Sequence, residues 1–311
     1  MGKIVLAGGT GNLGNLLISL FREQDHEIVV LSRRKMLKHH PQIQFVQWDG
    51  KTQGEWVEAL EAADVLINLA GLSINRRFTA RNKSLLKSSR IEPTKALGEA
   101  ISALQIPPKL WINFSGVSIF NGAKEVQNET SRAYAEDFLG KLAQDWEQVF
   151  IDADTPNTEK VILRMSPLLS KQSGMFAELY PLAKYGLGGK VGNGRQMISW
   201  IHEEDFVRLV DWIIHAEKRE AIYHACSPNP VSNAEFMKAL RDASGKSIGL
   251  PLPEPLARIG AFVKGVDPSL LLESVPVTTI LTLRNGFNFK FPYIQAAFDQ
   301  LTSKSTKTIH V

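Results

Sequence analysis

Four glycines lie close together near the start of the chain, where an apolar segment gives way to a helix-like one. Residues 4–14 read Ile-Val-Leu-Ala-Gly-Gly-Thr-Gly-Asn-Leu-Gly. Glycine permits a tight turn and a close approach of the backbone to a pyrophosphate, which the N-terminus of the following helix stabilises. The alternative is a turn that needs glycine for its own backbone conformation and binds no ligand. The position between strand and helix favours dinucleotide binding by a turn formed from Gly8, Thr10, Gly11, Asn12, Leu13 and Gly14.

The end of the second predicted strand indicates which dinucleotide this turn holds. Proteins that bind NAD usually place an acidic residue roughly 20 positions after the turn, whereas this chain has Ser32-Arg33-Arg34 there. A hydroxyl beside a planar guanidinium suits a 2′-phosphate. We therefore predict that Ser32 and Arg33 bind the 2′-phosphate of NADP(H), with NAD the less favoured cofactor. The alternative is that Arg33 and Arg34 are solvated loop residues.

Alternating strand-like and helix-like segments must position these residues. Most of the predicted strands are apolar on both faces, as a sheet covered by helices on both sides requires. The predicted strands are residues 3–7, 27–31, 42–47, 64–69, 109–114 and 160–165. The predicted helices lie at 13–21, 56–63, 84–104 and 133–153. The pattern predicts an α/β fold, a Rossmann-type doubly wound parallel sheet with a smaller C-terminal substrate-side region.

The composition changes after Ser166, where glycine-rich and proline-rich stretches separate shorter helices. We predict an NAD(P)-binding domain over residues 1–225, with a substrate-side insertion at about 170–200. A small α-rich region follows at 226–302. The Lys/Thr/Ser-rich end, 303–311, is predicted to be a flexible tail.

The composition excludes several classes of protein. The chain has 311 residues, 44% of them hydrophobic, and one cysteine, Cys226, so neither a disulfide scaffold nor a zinc framework is expected. No apolar run reaches the roughly 20 residues of a membrane helix, and the net charge of +4 is spread along the chain. We therefore expect no membrane and no nucleic-acid partner, a cytoplasmic location, a buried Cys226 and no metal site, with residues 203–205 starting a helix.

Segments along nearly the whole chain resemble, in the same order, one atypical branch of the extended short-chain dehydrogenases/reductases. This branch is an epimerase-like family named after nucleoside-diphosphate-sugar epimerases, whose members carry a short C-terminal module. The segments that carry the resemblance are residues 68–71, 88–94, 137–147, 192–196, 199–205, 230–236, 270–272, 286–289 and 296–298.

The resemblance implies further contacts to the cofactor. Leu69 and Ala70 are expected to line its adenine or ribose side, and Arg90 is expected to reach the pyrophosphate. A surface ion pair is the alternative for Arg90. The nicotinamide end is expected to pass Ser115, Arg164 and Leu168.

The chain departs from the superfamily at the catalytic pair. Active members use Tyr-x-x-x-Lys, in which the lysine lowers the tyrosine pKa, together with a serine that polarises the substrate oxygen. Ser115 stands at the serine position, so the resemblance implies a catalytic role for it. Aligning Glu147 with the family glutamate places Leu139 and Ala143 at the tyrosine and lysine positions, and neither can transfer a proton.

Two other tyrosine and lysine combinations could substitute. Tyr180 and Lys184 have the right spacing but follow the sixth strand, and Tyr134 is seven residues from Lys141 rather than one helical turn. The alternative for both tyrosines is ordinary packing with the hydroxyl at the surface.

These features leave two functions open. The first is an NADP(H)-binding, epimerase-like or reductase-like oxidoreductase that acts on a small molecule, with a nucleotide sugar as a candidate substrate. The alternative is a non-catalytic NADP(H)-responsive sensor or scaffold, which the missing Tyr-x-x-x-Lys pair favours. The resemblance also implies a homodimer through the helices after the fourth and fifth strands.

Overall fold

A parallel sheet of seven strands forms the centre of the computed structural model, which describes residues 2–35 and 40–303. The strands of this sheet are β1 (Lys3–Ala7), β2 (Glu27–Ser32), β3 (Ile43–Gln47), β4 (Val65–Asn68), β5 (Leu110–Gly116), β6 (Glu159–Met165) and β10 (Ile222–Ala225). Their order is β10-β6-β5-β4-β1-β2-β3, so the connections reverse direction between β1 and β4. The predicted Rossmann-type doubly wound sheet is confirmed, and such a reversal is where ligands bind in these folds.

Helices cover both faces of this sheet because successive side chains of each strand point into two apolar cores, one on each face. Ile4 and Leu6 pack with α1 (Asn12–Glu23) and α5 (Glu203–His215). Val5 and Ala7 face the opposite core with α2 (Ala80–Ala103), while α3 (Phe138–Asp152) contributes Trp146 to the first core and Phe150 to the second.

The remaining elements form the substrate-side and C-terminal region. Its short strands are β7 (Leu168–Leu169), β8 (Met197–Ile198), β9 (Ile201–His202) and β11 (Val231–Ser232), paired β7 with β9 and β8 with β11. Its helices are α4 (Gly174–Lys184), α6 (Asn233–Ala243), α7 (Glu254–Lys264), α8 (Ser269–Leu272), α9 (Leu281–Arg284) and α10 (Ile294–Thr302). A third core of Phe176, Trp200, Phe236 and Phe298 joins α4, α6 and α10, so residues 226–302 pack on the predicted insertion. The boundary at 225 stays a prediction.

The structure corrects the sequence-based elements in three places. The helix predicted at 56–63 is a 3₁₀ turn, Glu55–Leu60. The helix predicted from residue 133 begins at Phe138, because the Asp137 carboxylate accepts a hydrogen bond from Gly140 N (2.8 Å) and caps it. The strand β10 was missing from the prediction. The predicted flexible tail lies, after Ser303, outside the described residues.

None of the helices in the described ranges combines the length and the apolar character that crossing a bilayer requires.

Candidate functional site

The turn after β1 has two positions that only glycine can occupy. Gly8 has a φ of +76°, and a Cβ there would lie 2.9 Å from Ala70 Cα. A Cβ on Gly14 would lie 2.0 Å from the carbonyl oxygen of Gly9. The turn is held against β2 by a hydrogen bond from Gly8 N to Leu31 O (2.9 Å). The protein's own backbone conformation and packing therefore require glycine at positions 8 and 14, whether or not a ligand binds.

Gly11 is different, since a Cβ there would meet nothing within 4 Å. It is the N-cap of α1, where no side chain caps the helix and no acidic residue occupies the first turn. Thr10, Gly11 and Asn12 are exposed, and Leu13 is half-buried. The N–H groups at this helix end therefore face outward, which is the arrangement that binds a phosphate.

The end of β2 lies beside this turn. Ser32 is buried, and its Oγ accepts a hydrogen bond from Arg34 N (3.2 Å). Arg33 and Arg34 are exposed, and across residues 2–35 and 40–303 neither forms an ion pair with a carboxylate. Their cationic charge is therefore available at the side of the turn where the sequence predicts the 2′-phosphate.

A buried amide network fixes the chain after β4. Asn68 Oδ1 accepts from Ala70 N (3.1 Å), while Asn68 Nδ2 donates to Asn113 Oδ1 (2.7 Å) and Thr94 Oγ1 (3.0 Å). Leu69 N donates to Ala7 O (2.9 Å). Leu69 and Ala70 are thereby placed directly against the glycine turn, at the point where the strand order reverses.

Arg90 lies on α2, and its guanidinium lies beside Gly71, which follows Ala70. Its guanidinium donates to the carbonyl oxygens of Leu72 (3.0 Å) and Leu86 (3.1 Å) and lies 5.2 Å from the ring centre of Trp146. Burial, with a smaller contribution from Arg76, lowers the pKa of Arg90 to about 10. No carboxylate of the described chain lies within 4.0 Å of it, so the alternative of a surface ion pair is wrong.

Ser115, Glu147 and Arg164 form a buried cluster at the end of β5 and β6. Ser115 Oγ donates to Glu147 Oε1 (2.6 Å), and Arg164 donates to both carboxylate oxygens through Nε (2.8 Å) and Nη2 (2.7 Å). Burial disfavours the charged guanidinium, but the hydrogen bonds and charge of Glu147 outweigh this and raise the pKa of Arg164. Arg164 is fully buried, so it acts on the site through Glu147.

Tyr134 and His224 complete this cluster. Arg164 Nη2 donates to the Tyr134 hydroxyl (3.3 Å), and Arg164 Nη1 lies 3.5 Å from His224 Nε2. Tyr134 is half-buried, and its hydroxyl accepts this hydrogen bond from the buried guanidinium. Burial lowers the pKa of His224 to about 4, which leaves the ring neutral at pH 7.

Neither substitute tyrosine and lysine combination brings its lysine into hydrogen-bonding contact with its tyrosine hydroxyl in the described residues. Leu139 and Ala143 are buried on α3. Lys141 forms an exposed ion pair with Glu136 (3.0 Å) rather than contacting Tyr134. Tyr180 stacks on Phe176 in the third core, with Lys184 5.5 Å from its ring centre.

Two further groups occupy the region around the cluster. Leu168 begins β7 and is half-buried. Ser118, in the 3₁₀ turn Val117–Phe120 after β5, is half-buried, and its hydroxyl donates to none of the described residues. The sequence analysis did not name Ser118 as a candidate site residue. The segment Ser115-Gly116-Val117-Ser118, which follows a predicted strand, could have indicated it.

The remaining predicted groups have structural roles. His202 caps α5 by accepting a hydrogen bond from Glu204 N, and the predicted helix start at residues 203–205 is confirmed. Asp205 is fully buried and accepts from Lys290 N and Phe291 N. Cys226 is buried as predicted, and burial raises its thiol pKa well above the usual value. Within the described ranges no three His, Cys, Asp or Glu side chains are grouped to hold a metal ion.

Known proteins share this fold over its whole length. The human epimerase family protein SDR39U1 (isoform 2), solved with NADPH, has a TM-score of 0.84 and 27% identity, and the match covers 96% of this chain and 99% of that one. A nucleoside-diphosphate sugar epimerase from Corynebacterium glutamicum has a TM-score of 0.77 and 26% identity over 97% of this chain and 58% of that chain. An epimerase family protein of Staphylococcus saprophyticus is 29% identical over 302 residues, which are 97% of this chain and 99% of the relative.

The family assignment follows from these matches, and the resemblance seen in the sequence is confirmed. A model of the NAD dependent epimerase/dehydratase family matches residues 4–226. Because this match covers more than half of the chain, the protein belongs to the NAD-dependent epimerase/dehydratase family.

Proposed function

We propose that this protein binds NADP(H) at the glycine turn and acts as an epimerase-like or reductase-like protein on a small molecule. The observation that carries the proposal is the open space at Gly11 beside the outward-facing N-terminus of α1. The protein's own packing gives no reason for glycine there, whereas a pyrophosphate against the backbone does. The NADPH in the SDR39U1 structure supports the same cofactor.

The residues around the turn fit the two ends of this cofactor. In our proposal Gly8, Thr10, Gly11, Asn12, Leu13 and Gly14 hold the pyrophosphate. Ser32 and Arg33 bind the 2′-phosphate, Leu69 and Ala70 line the adenine or ribose side, and Arg90 turns its partly satisfied guanidinium toward the phosphates. NADP(H), when bound, supplies hydride transfer.

The nicotinamide end would lie near Ser115 and Leu168. Since the Ser115 proton points at Glu147 Oε1, the serine oxygen is free to accept a hydrogen bond from a substrate hydroxyl. Arg164 fixes the Glu147 carboxylate through two hydrogen bonds and is thus a positioning residue. A nucleotide sugar is the candidate substrate because its hydroxyls match this acceptor.

Calorimetric titration of NADPH and NADH tests the cofactor. We expect NADPH to bind at least about tenfold more tightly than NADH, and Arg33→Ala to remove most of that difference, because the guanidinium contacts only the 2′-phosphate. Arg258→Ala, at an exposed arginine paired with Glu254 on α7, is the matched control. Equal affinity for both cofactors would favour NAD, and failure of both to bind would overturn the proposal.

The second candidate function is a non-catalytic NADP(H)-responsive sensor or scaffold. Leu139 and Ala143, which stand at the positions of the catalytic tyrosine and lysine, are buried and apolar. Two incubations separate the two functions: NADPH deuterated at C4 with a panel of carbonyl compounds, and NADP⁺ with a panel of nucleotide sugars. Transfer of the label to a carbonyl compound, or conversion of a nucleotide sugar, supports an enzyme, whereas tight cofactor binding with neither reaction supports the sensor.

We also propose a cytoplasmic homodimer that contacts through α2 and α3. Leu85 on α2 and Ile151 on α3 are exposed apolar residues that support such a contact. A sedimentation velocity experiment that shows only monomer at micromolar concentration would contradict the dimer. Cell fractionation tests the location.

A further inference from the structure

A continuous surface on the substrate side, here called the α7 platform, consists of residues 182–196 and 244–264. Backbone hydrogen bonds join its two segments, from Leu250 N to Gly186 O (2.8 Å) and from Leu252 N to Lys190 O (2.9 Å). The two segments therefore form one surface, with α7 at its edge.

Helix α7 exposes its large apolar side chains and buries its small ones. Only Ala257 and Ala261 are buried, whereas Leu256, Ile259 and Val263 are 55%, 60% and 79% exposed. These three residues have the i, i+3, i+7 spacing of one helix face. A helix that served only to close the protein core would turn this face inward. The outward face of α7 is therefore built to contact something outside the described fold.

The apolar character continues across the rest of the platform. Its other exposed apolar residues are Leu182, Tyr185, Leu187, Ile248, Leu250, Leu252 and Phe262, of which Tyr185 and Ile248 are more than 80% exposed. Such a cluster of exposed apolar side chains is typical of an interaction surface rather than of a solvated one.

The same platform concentrates the positive charge of the chain. It contains Lys184, Lys190, Arg195, Lys246, Arg258 and Lys264 but one carboxylate, Glu254, so it carries +5 while the whole chain carries +4. Arg258 pairs with Glu254, and Lys264 pairs with Glu178 of α4. The other four cations have no ion-pair partner among residues 2–35 and 40–303.

We propose that the α7 platform binds the surface of a membrane that contains anionic lipids. The apolar face of α7 would enter the boundary between headgroups and acyl chains, and the four unpaired cations would contact lipid phosphates. A second copy of the platform fits less well because its charge would repel an identical surface. A nucleic acid fits less well because eight of the ten exposed apolar residues of the platform are aliphatic and do not stack on bases, and only Tyr185 and Phe262 could do so.

This inference goes beyond the proposed function and does not depend on NADP(H). It revises the expectation of no membrane partner, because peripheral binding needs no spanning helix.

Flotation with lipid vesicles tests the inference on the full chain. The probes are vesicles of phosphatidylcholine alone and vesicles that also contain phosphatidylglycerol. The apolar variant is Ile259→Ser with Val263→Ser, and the charge variant combines Lys184→Gln, Lys190→Gln and Lys246→Gln. The matched controls are Ile106→Ser with Val126→Ser, and Lys95→Gln with Lys124→Gln and Lys218→Gln, which alter exposed residues elsewhere.

We expect the wild-type chain to float with the anionic vesicles only, and each platform variant to lower the bound fraction about tenfold at unchanged melting temperature. The controls should bind as the wild type does. No binding to anionic vesicles, or equal losses in the controls, overturns the inference. A dimer seen by sedimentation that Ile259→Ser with Val263→Ser converts to monomer would instead assign the platform to self-association.

Discussion

Gly11 and Gly14 separate the demands of cofactor binding from those of folding. A Cβ at Gly14 would lie 2.0 Å from Gly9 O, whereas a Cβ at Gly11 would contact nothing within 4 Å. We expect Gly14→Ala to destabilise the protein by about 1–3 kcal/mol through overpacking. We expect Gly11→Ala to cost about 1 kcal/mol or less yet to weaken NADPH binding at least about tenfold, because its methyl group would occupy the pyrophosphate position.

Urea unfolding and calorimetry on the same two variants check this prediction. Gly260→Ala is the matched control, since a Cβ at Gly260 on α7 also meets nothing within 4 Å. Unchanged NADPH binding by Gly11→Ala would contradict the cofactor placement.

Single residues show what the sequence could and could not reveal. The glycine turn was predictable because strand, turn and helix are adjacent in the chain. The hydrogen bond between Tyr134 and Arg164 joins residues 30 positions apart. It could not be predicted from the sequence, because it depends on the pairing of β5 with β6 and on the start of α3 at its Asp137 cap. Leu139 and Ala143 are informative by sequence alone only through the family resemblance.

The pairing of Glu147 with Arg164 joins two elements, since it docks α3 onto β6. Both side chains are buried and share two hydrogen bonds. Glu147→Leu leaves an unpaired buried charge and should cost about 3–5 kcal/mol of unfolding free energy. Combining it with Arg164→Met removes both charges and should restore most of that loss.

Chemical denaturation of the single and double variants measures this coupling. Asp242→Asn breaks the exposed pair with Lys238 and should change the unfolding free energy by less than about 1 kcal/mol. A double variant as unstable as the single one would show that the cluster contributes more than charge pairing.

Strands were predictable from the sequence where their residues are apolar on both faces of the sheet. The strand β10 was missed because its sequence, Ile-Tyr-His-Ala, lacks a continuous aliphatic run. It is a strand because it pairs with β6, from Ile222 with Ile162 to Ala225 with Met165. The 3₁₀ turn Glu55–Leu60 has helix-favouring residues but too few of them to form an α-helix.

At the scale of the whole molecule, the buried His224 and the half-buried Glu273 give opposite pH dependences to stability. The pKa of His224 falls from 6.5 to about 4 by burial, while burial, Asp137 and Asp267 raise the pKa of Glu273 from 4.5 to about 7. The unfolded chain therefore binds the His224 proton more readily, and stability rises with pH between about 4 and 6.5. For Glu273 the folded chain binds the proton more readily, and stability falls as pH rises from 4.5 to about 7.

Urea unfolding between pH 4.5 and 6.5 resolves the two effects. In the wild-type chain they should largely cancel. Glu273→Gln should leave a stability that rises with pH, and His224→Asn should leave one that falls. The same slope in both variants would show that neither residue controls the pH dependence.

The architecture as a whole was more predictable than the site. Six of the seven sheet strands and the doubly wound fold class followed from the alternation of apolar strands and helices, which is local, and the resemblance supplied the family. How residues 226–302 fold back was not predictable, because contacts such as Asp205 with Lys290 and Phe291 depend on the completed fold.

The late position of β10 in the chain affects how the protein is made. Its partner β6 ends at Met165, and about 56 residues follow before Ile222 begins the seventh strand. While the ribosome synthesises that stretch, the nascent chain carries β6 with one row of backbone N–H and C=O groups unpaired, and such an edge can recruit strands from neighbouring chains. We therefore expect the nascent chain to be most prone to aggregation before the residues that follow Met165 have added β10 to the sheet.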